Sequence, residues 1–353
     1  MRLAVIGVGD VAYRDYLPHL GRIAHLGRVD MVIARNRERT EVAARHFGVP
    51  RVETDWHRVL DAGIDAVINL TPAPVHGEIN LALAEAGRHF YSEKPLAFDL
   101  AEAEAIRSAA ARTGCVIAAA PSVMVYPQVI RAAEILRGGE LGPVHSVRAN
   151  ATVSPPPWGG YVGDHGPFFS AEVGPLSDMG VYPLHALTGL LGSIAGVSAI
   201  SKRTRQSFDV TEGPFAGTTV PVEVDDNWQI VLALDSGVLA SLQVSYCITQ
   251  AASCQLEITG EKGSMTVPLL DPTQPLQVLS GGTLREEQVE HARNDGPDHI
   301  LGVQDFLESI RDKREPVIGS AHAIHVVAVR RAIEEAAKSG NRISVAAWKG
   351  PSR

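Results

Sequence analysis

The start of the chain most narrows the folds open to it: Leu3-Ala4-Val5-Ile6 runs without interruption into Gly7-Val8-Gly9-Asp10-Val11-Ala12. A short run of consecutive apolar residues suits a strand buried on both faces, as the strands of a parallel sheet are. The glycines then predict a tight turn and a helix. Gly7 suits the turn, Gly9 lets backbone approach a pyrophosphate with no Cβ in the way, and small Ala12 lets the helix pack closely on the strand. The first helical amides, at Asp10 and Val11, would face the phosphates.

The same alternation continues to about residue 120. Met31-Val32-Ile33-Ala34 is the second strand, and at its end a chain specific for NAD usually places Asp or Glu against the ribose 2′-hydroxyl. Here stands Ala34-Arg35-Asn36-Arg37-Glu38-Arg39. No carboxylate repels a 2′-phosphate, and Arg35, helped by Arg37 or Arg39, suits one and can stack on adenine. The pattern favours NADP and leaves NAD open; the bland reading is a solvated loop before a helix over 40–47. Asp65 to Leu70 is a further buried strand, stopped by Thr71-Pro72-Ala73-Pro74, and Val75 to Ala86 is helical with Gly87 as its C-cap. His76, on that helix's first turn, is either a ribose or nicotinamide contact or a polar surface residue. His89-Phe90-Tyr91-Ser92 then leads into Glu93-Lys94-Pro95. That tripeptide falls at the carboxyl end of a strand, where a doubly wound sheet meets its ligand. A helix over 100–113 and a strand over 115–119 close the sheet.

With 353 residues the chain exceeds one typical domain, and two are expected, 1–121 and 122–353, with the final helices packing back toward the first. A net charge of −8 with no dense Lys/Arg block argues against nucleic acid or an anionic membrane as partner. Three cysteines without CxxC spacing, a first strand that leaves no room for a leader and the lack of a long apolar run lead us to expect a cytoplasmic protein. No metal site with ligand spacing is expected.

Beyond Pro121 to Val125 and a helix over 128–136 the sequence changes character. The stretches 144–153, 196–205, 227–234, 238–246, 254–259 and 264–267 alternate as strands, with Asp235-Ser236-Gly237 as a hairpin turn. The fold class is therefore α/β plus α+β: a Rossmann doubly wound parallel sheet, then a large, mostly antiparallel, open-faced sheet with helices on one face. Ile230, Leu232, Leu239 and Leu242 suit its other face or an internal core. The loop 154–171 carries Trp158 and His165, which suit either substrate contact or packing. Gly281 to Asp295 reads as polar and irregular, and helices follow over 298–311 and 321–338; His299, His322 and His325 either line the site or lie on helix surfaces, and no role is assigned to them.

Gly7-Val8-Gly9 with Ala12, Leu70-Thr71-Pro72 with His76, and Ala86-Gly87-Arg88-His89 running into Glu93-Lys94-Pro95-Leu96-Ala97 together resemble the Gfo/Idh/MocA family of glucose-fructose oxidoreductase, inositol dehydrogenase and relatives. The resemblance spans nearly the whole chain. It implies that Lys94 is the active-site lysine beside the nicotinamide, that Glu93 orients the segment, that Thr71, Pro72 and His76 line the cofactor, and that the Lys94–Pro95 bond is cis. Glu172 to His185 resembles the family's second signature, in which an Asp is followed four residues on by His or, in some members, Tyr; here the pair is Asp178 and Tyr182. Two departures stand out. Gly174 alone remains of the family's glycine triplet, and Pro183 belongs in a helix's first turn, which puts Asp178 ahead of that helix. Lysine with tyrosine makes chemical sense, because hydride removal from a carbinol needs a base for its proton and reduction needs an acid. His185 is either the acid/base, a supporting donor or a core residue.

The resemblance implies an oxidoreductase acting on the CH-OH or carbonyl group of a sugar or polyol, assembled as a homodimer or homotetramer through the second sheet, and the arginines after the second strand add a preference for NADP over NAD. Two alternatives from other classes are a redox-neutral lyase or glycosidase that retains its cofactor, and a non-catalytic sensor of sugar or nucleotide.

Overall fold

Six short apolar strands build the first sheet: β1 (Arg2–Ile6), β2 (Arg28–Ile33), β3 (Arg51–Glu53), β4 (Ala66–Asn69), β5 (His89–Ser92) and β6 (Ile117–Ala119). All pair in parallel, in the order β3-β2-β1-β4-β5-β6. This computed structural model of the protein describes residues 1–60, 63–156, 161–171, 173–247 and 253–348. The strand order reverses between β1 and β4, so a crevice opens at the carboxyl ends of these two strands, the position where such sheets bind nucleotides. Crossovers run through α1 (Arg37–Phe47), α2 (His76–Glu85) and α3 (Leu100–Thr113). Asn36 and Asp99 cap α1 and α3 by accepting from amides of their first turns, and both helices end on glycines in the left-handed region.

The connection after β1 departs from the helix expected there. A π-helical turn, Ala12–Tyr16, passes into a 3₁₀ segment, Leu17–Ile23. Pro18 has no amide to return to the preceding turn, so regular α-helical bonding cannot continue through it.

The chain divides into two compact units, Met1–Ser122 with Asp298–Val327 and Val123–Pro297 with Ala328–Arg353. In the first, helix α8 (Ile300–Asp312) buries Ile300, Val303, Phe306 and Leu307 completely. Arg22 grips Asp298 through two bonds of 2.7 and 2.8 Å, and the Ala119 amide donates to Ile318. The closing helix is α9 (Ser320–Ser339).

The second unit carries α4 (Pro127–Arg137), β7 (Val144–Thr152), the short helices α5 (Gly166–Phe169) and α6 (Gly174–Asp178), and α7 (Val181–Leu191). Its remaining strands are β8 (Ile194–Lys202), β9 (Ser207–Asp209), β10 (Thr219–Pro221), β11 (Asn227–Leu234), β12 (Leu239–Ser245), β13 (Ser253–Gly260), β14 (Gly263–Pro268), β15 (Leu276–Ser280), β16 (Thr283–Glu287) and β17 (Ile343–Ser344). The large sheet has the order β16-β15-β14-β13-β7-β12-β11-β8-β17 and is antiparallel except where β12 meets β7. Helix α7 is apolar nearly all round and buried from Val181 through Thr188, as a helix with no polar face must be.

Two expectations are corrected. Ile230, Leu232 and Leu242 lie in the core, while Leu239 is 57% exposed beside exposed Val231 and Ile200. The register pairs Ile230 with Leu242 and Ala233 with Leu239, so Leu239 falls on the opposite face of the pleat. Within the stretch read as irregular, Thr283–Glu287 forms β16 on a sheet edge. Its backbone pairs with β15 while its polar side chains remain in ion pairs, Arg285 with Glu140 and Arg131 with Glu287, so no alternating apolar signal marks it. Among the described residues no helix is long and apolar enough to cross a membrane.

Candidate active site

At the carboxyl end of β1, Gly7 has φ +100°, and a Cβ there would stand 2.4 Å from the Leu70 carbonyl oxygen at the end of β4. The first glycine therefore brings two strand ends together. Gly9 differs: a Cβ there would meet nothing within 4 Å. That open space over the turn is the cradle a pyrophosphate requires, so these residues fit a dinucleotide. Ala12 is fully buried beneath it. Asp10 lies 3.8 Å from Arg39, while Arg35 stands exposed at the end of β2.

A buried polar network fixes the next strand ends. Thr71 donates through its amide and hydroxyl to Asn69 Oδ1, Asn69 Nδ2 donates to Asn80, and Asn80 donates to Ser92 Oγ and the Leu96 carbonyl. Asn69, Asn80 and Ser92 are completely buried, where every polar group needs a partner. His76 is 1% exposed, with Nδ1 2.8 Å from the Pro95 carbonyl oxygen and Nε2 2.7 Å from that of Thr71. A neutral imidazole donates from only one nitrogen, so in that form the ring hydrogen-bonds one of the two carbonyls and lies against the other. Burial pushes the pKa of His76 down. The histidine thus binds two loops together from inside the unit.

Glu93-Lys94-Pro95 follows β5, with the Lys94–Pro95 peptide cis, as the resemblance implied. Glu93 is 8% exposed; it accepts from the Tyr16 hydroxyl at 2.5 Å through Oε1 and from the Lys94 amide at 3.0 Å through Oε2. Lys94 itself is half-buried. Burial first, and then the Glu93 charge, push the Tyr16 and Tyr91 phenols well above their ordinary range. His299 stacks on Tyr16 at 6.0 Å, and His299, His322 and His325 are all buried, which corrects their reading as surface residues. A cleft lined by Met1, Ile64, Asp65, Arg88 and His89 opens at the opposite, amino ends of the strands, away from these groups.

In the second unit Asp178 ends α6 and Tyr182 is the second residue of α7, with Pro183 in the first turn as its chemistry demands. Asp178, Tyr182 and His185 are 6, 7 and 4% exposed. Gly180 permits the sharp passage between the helices, since a Cβ there would lie 2.8 Å from the Leu176 carbonyl oxygen. Asp178 accepts a 2.7 Å hydrogen bond from Tyr246, whose phenol is pushed well up by burial and then by the Asp178 charge. Sequence reasoning did not single out Tyr246, which sits at the end of a strand with no motif around it. His165 is 1% exposed, edge-on to Tyr161 and Phe215, and neither ring nitrogen has a hydrogen-bond partner among the described residues. Trp158 lies outside the described residues. Among the described residues no three metal-ligating side chains gather.

Comparison with known proteins supports this reading. Residues 1–120 match the family model described as oxidoreductase family, NAD-binding Rossmann fold, and residues 129–266 match that of the GFO/IDH/MocA C-terminal domain. The chain is 32% identical over 328 residues, 91% of its length and 89% of the relative's, to dTDP-3,4-didehydro-2,6-dideoxy-alpha-D-glucose 3-reductase of Actinomadura kijaniata. It is 24% identical to the NAD(+)-dependent scyllo-inositol 2-dehydrogenase of Bacillus subtilis, covering 90% of this chain and 88% of that one. A levoglucosan dehydrogenase solved with NADH and L-sorbose shares the fold, with a TM-score of 0.86 at 21% identity over 98% of this chain and 99% of that one.

Proposed function

The chain belongs to the GFO/IDH/MocA family of oxidoreductases with an NAD-binding Rossmann fold, and on that footing we propose that it is an NADP(H)-preferring enzyme acting on a sugar, polyol or related small molecule. The observation that carries this reading is the double hold on Lys94: Glu93 receives its amide on one side, and His76 reaches the Pro95 carbonyl on the other. A lysine fixed so firmly at a strand's carboxyl end suits chemistry better than packing.

The bound nicotinamide supplies the site that gives or takes the hydride. The protein's part is binding, orientation and proton transfer. Asp10 and Val11 offer their amides, beside Gly7, Gly9 and Ala12, to the pyrophosphate, and Thr71, Pro72 and His76 shape the neighbouring loop. The Lys94 ammonium polarises the reacting oxygen, Tyr182 relays its proton, and Asp178, steadied by Tyr246, accepts a hydrogen bond from substrate. His185, on the same face of α7, supports Tyr182. His165, buried with both nitrogens unserved, is suited to a sugar hydroxyl. The exposed face carrying Leu239, Val231 and Ile200 meets a second copy of the chain.

The preference for NADP rests on Arg35, exposed where a ribose-binding carboxylate would stand, with Arg39 already near Asp10. It is set against relatives whose names carry NAD. Titration with NADPH and NADH, in parallel with Arg35→Ala, tests it: tighter NADPH binding that is lost in the variant is expected. Tighter binding of NADH, or indifference to Arg35, would overturn the preference. A screen of inositols and keto-sugars with the tighter cofactor, repeated with Lys94→Ala and Tyr182→Phe, tests the chemistry.

A further inference from the structure

Glu93 does not rest on Lys94 alone. The Tyr16 hydroxyl, 2.5 Å from Oε1, lies 2.9 Å from the Tyr91 hydroxyl, which lies 3.1 Å from Ser122 Oγ, and Ser122 donates to the His299 carbonyl at 3.2 Å. Tyr16, Tyr91 and Ser122 are at most 1% exposed. Tyr16 has one hydrogen to give and faces a carboxylate that only accepts, so it donates to Glu93 and accepts from Tyr91. Phenylalanine would pack in either place without the cost of burying a hydroxyl. The hydroxyls are therefore kept for what they hold. Gly302 of α8 leaves room for the arrangement, since a Cβ there would stand 2.1 Å from Ser122 Oγ and 3.0 Å from the Tyr91 ring.

We propose that Tyr16 is the positioning residue of the Lys94 segment. It clamps one oxygen of Glu93 so that the other stays on the Lys94 amide, and Tyr91, giving its one hydrogen to Tyr16, holds Tyr16 in turn. The proposal deepens the reading of Lys94 as the reacting lysine and rests on it for its catalytic meaning. A short charge-assisted bond at one end of a planar carboxylate fixes its rotation, and with it the direction of the bond at the other end. The lysine is thereby set in place from behind, by groups that never meet the substrate.

Amide hydrogen exchange resolved at Lys94 tests this without a substrate. In Tyr16→Phe the Lys94 amide should exchange on the order of tenfold faster, the effect of losing one hydrogen bond to a charged group. The amides of Phe90 and Tyr91, which belong to the sheet, should keep their rates. In Tyr91→Phe the increase should be smaller. In Glu93→Gln the Lys94 amide should already exchange fast, and adding Tyr16→Phe should change it little. An unchanged Lys94 rate in Tyr16→Phe would overturn the proposal. So would a rise shared equally by Phe90 and Tyr91, or full additivity with Glu93→Gln, since either would mean that Tyr16 only packs. Turnover by Lys94→Ala is scored separately: if that variant stays active the catalytic reading falls, whatever the exchange shows.

Discussion

Replacing Gly9 by alanine should separate cofactor binding from folding. The added Cβ meets no atom within 4 Å, and Gly9 is not among the residues with positive φ. Without cofactor the variant should unfold within about 0.5 kcal/mol of the parent, or gain about 0.4–1 kcal/mol from a stiffer unfolded chain. With cofactor, the methyl group occupies the space through which phosphate reaches the turn. Losing one charge-assisted hydrogen bond costs about 1.5–3 kcal/mol, so affinity should fall roughly 10- to 150-fold. Gly7→Ala, two residues away, should do the opposite. Its Cβ would press the Leu70 carbonyl at 2.4 Å from a backbone with φ +100°, and the fold should lose about 3–5 kcal/mol. Thermal unfolding without ligand, paired with fluorescence titration by NADPH and NADH, reads both effects. Unimpaired binding by Gly9→Ala would mean that the phosphates lie elsewhere. A melting temperature lowered by several degrees in the same variant would mean that Gly9 is packed, and the space above the turn would not be a cradle.

Tyr246→Phe removes the donor to buried Asp178; stability should drop about 1.5–3 kcal/mol and turnover should fall more than cofactor affinity, as denaturant titration and steady-state rates would show. Arg22→Ala leaves Asp298 buried without its forked partner, and because Arg22 is partly exposed the expected loss is about 2 kcal/mol by the same titration; no loss would mean that solvent replaces the arginine freely. Burial lowers the pKa of His76, His89 and His299, so their neutral forms favour the fold. Below the unfolded pKa of about 6.5 the unfolded chain binds more protons. That contribution is complete above pH 7 and is lost as pH falls through the lower folded values, so the melting temperature at pH 5.5 should lie below that at 7.5. A flat profile would refute it.

Much of the first unit was legible because its strands advertise themselves. Leu3 to Ile6 is apolar because both faces are covered, and glycine follows because Gly7 must touch the next strand end. The helix over 100–113 forms as expected, and the structure shows it bounded by Asp99 and Gly114. What stayed hidden was pairing between distant polar residues. Asn69, Asn80 and Ser92 form one network from three elements, and Tyr16, Tyr91 and Ser122 form another; no spacing rule links such positions. The same holds for Tyr246 on Asp178. The four leucines and isoleucines of the large sheet show a second limit. Each is apolar enough for either face, and only the register between β11 and β12 sends Leu239 outward.

The return of Asp298–Val327 to the first unit sets an order of events during synthesis. When Ser122 leaves the ribosome, all six strands of the parallel sheet have been made, yet the Tyr91 ring still lacks Phe306 of α8 against it. The nascent sheet must wait, its β5 and β6 strands without that helix, through translation of everything up to Pro297. The His299 carbonyl that accepts from Ser122 arrives later still. A fragment ending at Ser122 should accordingly bind holdase chaperones and precipitate when they are removed. The segment carrying Lys94, made in the first third of the chain, is then among the last to take its working shape.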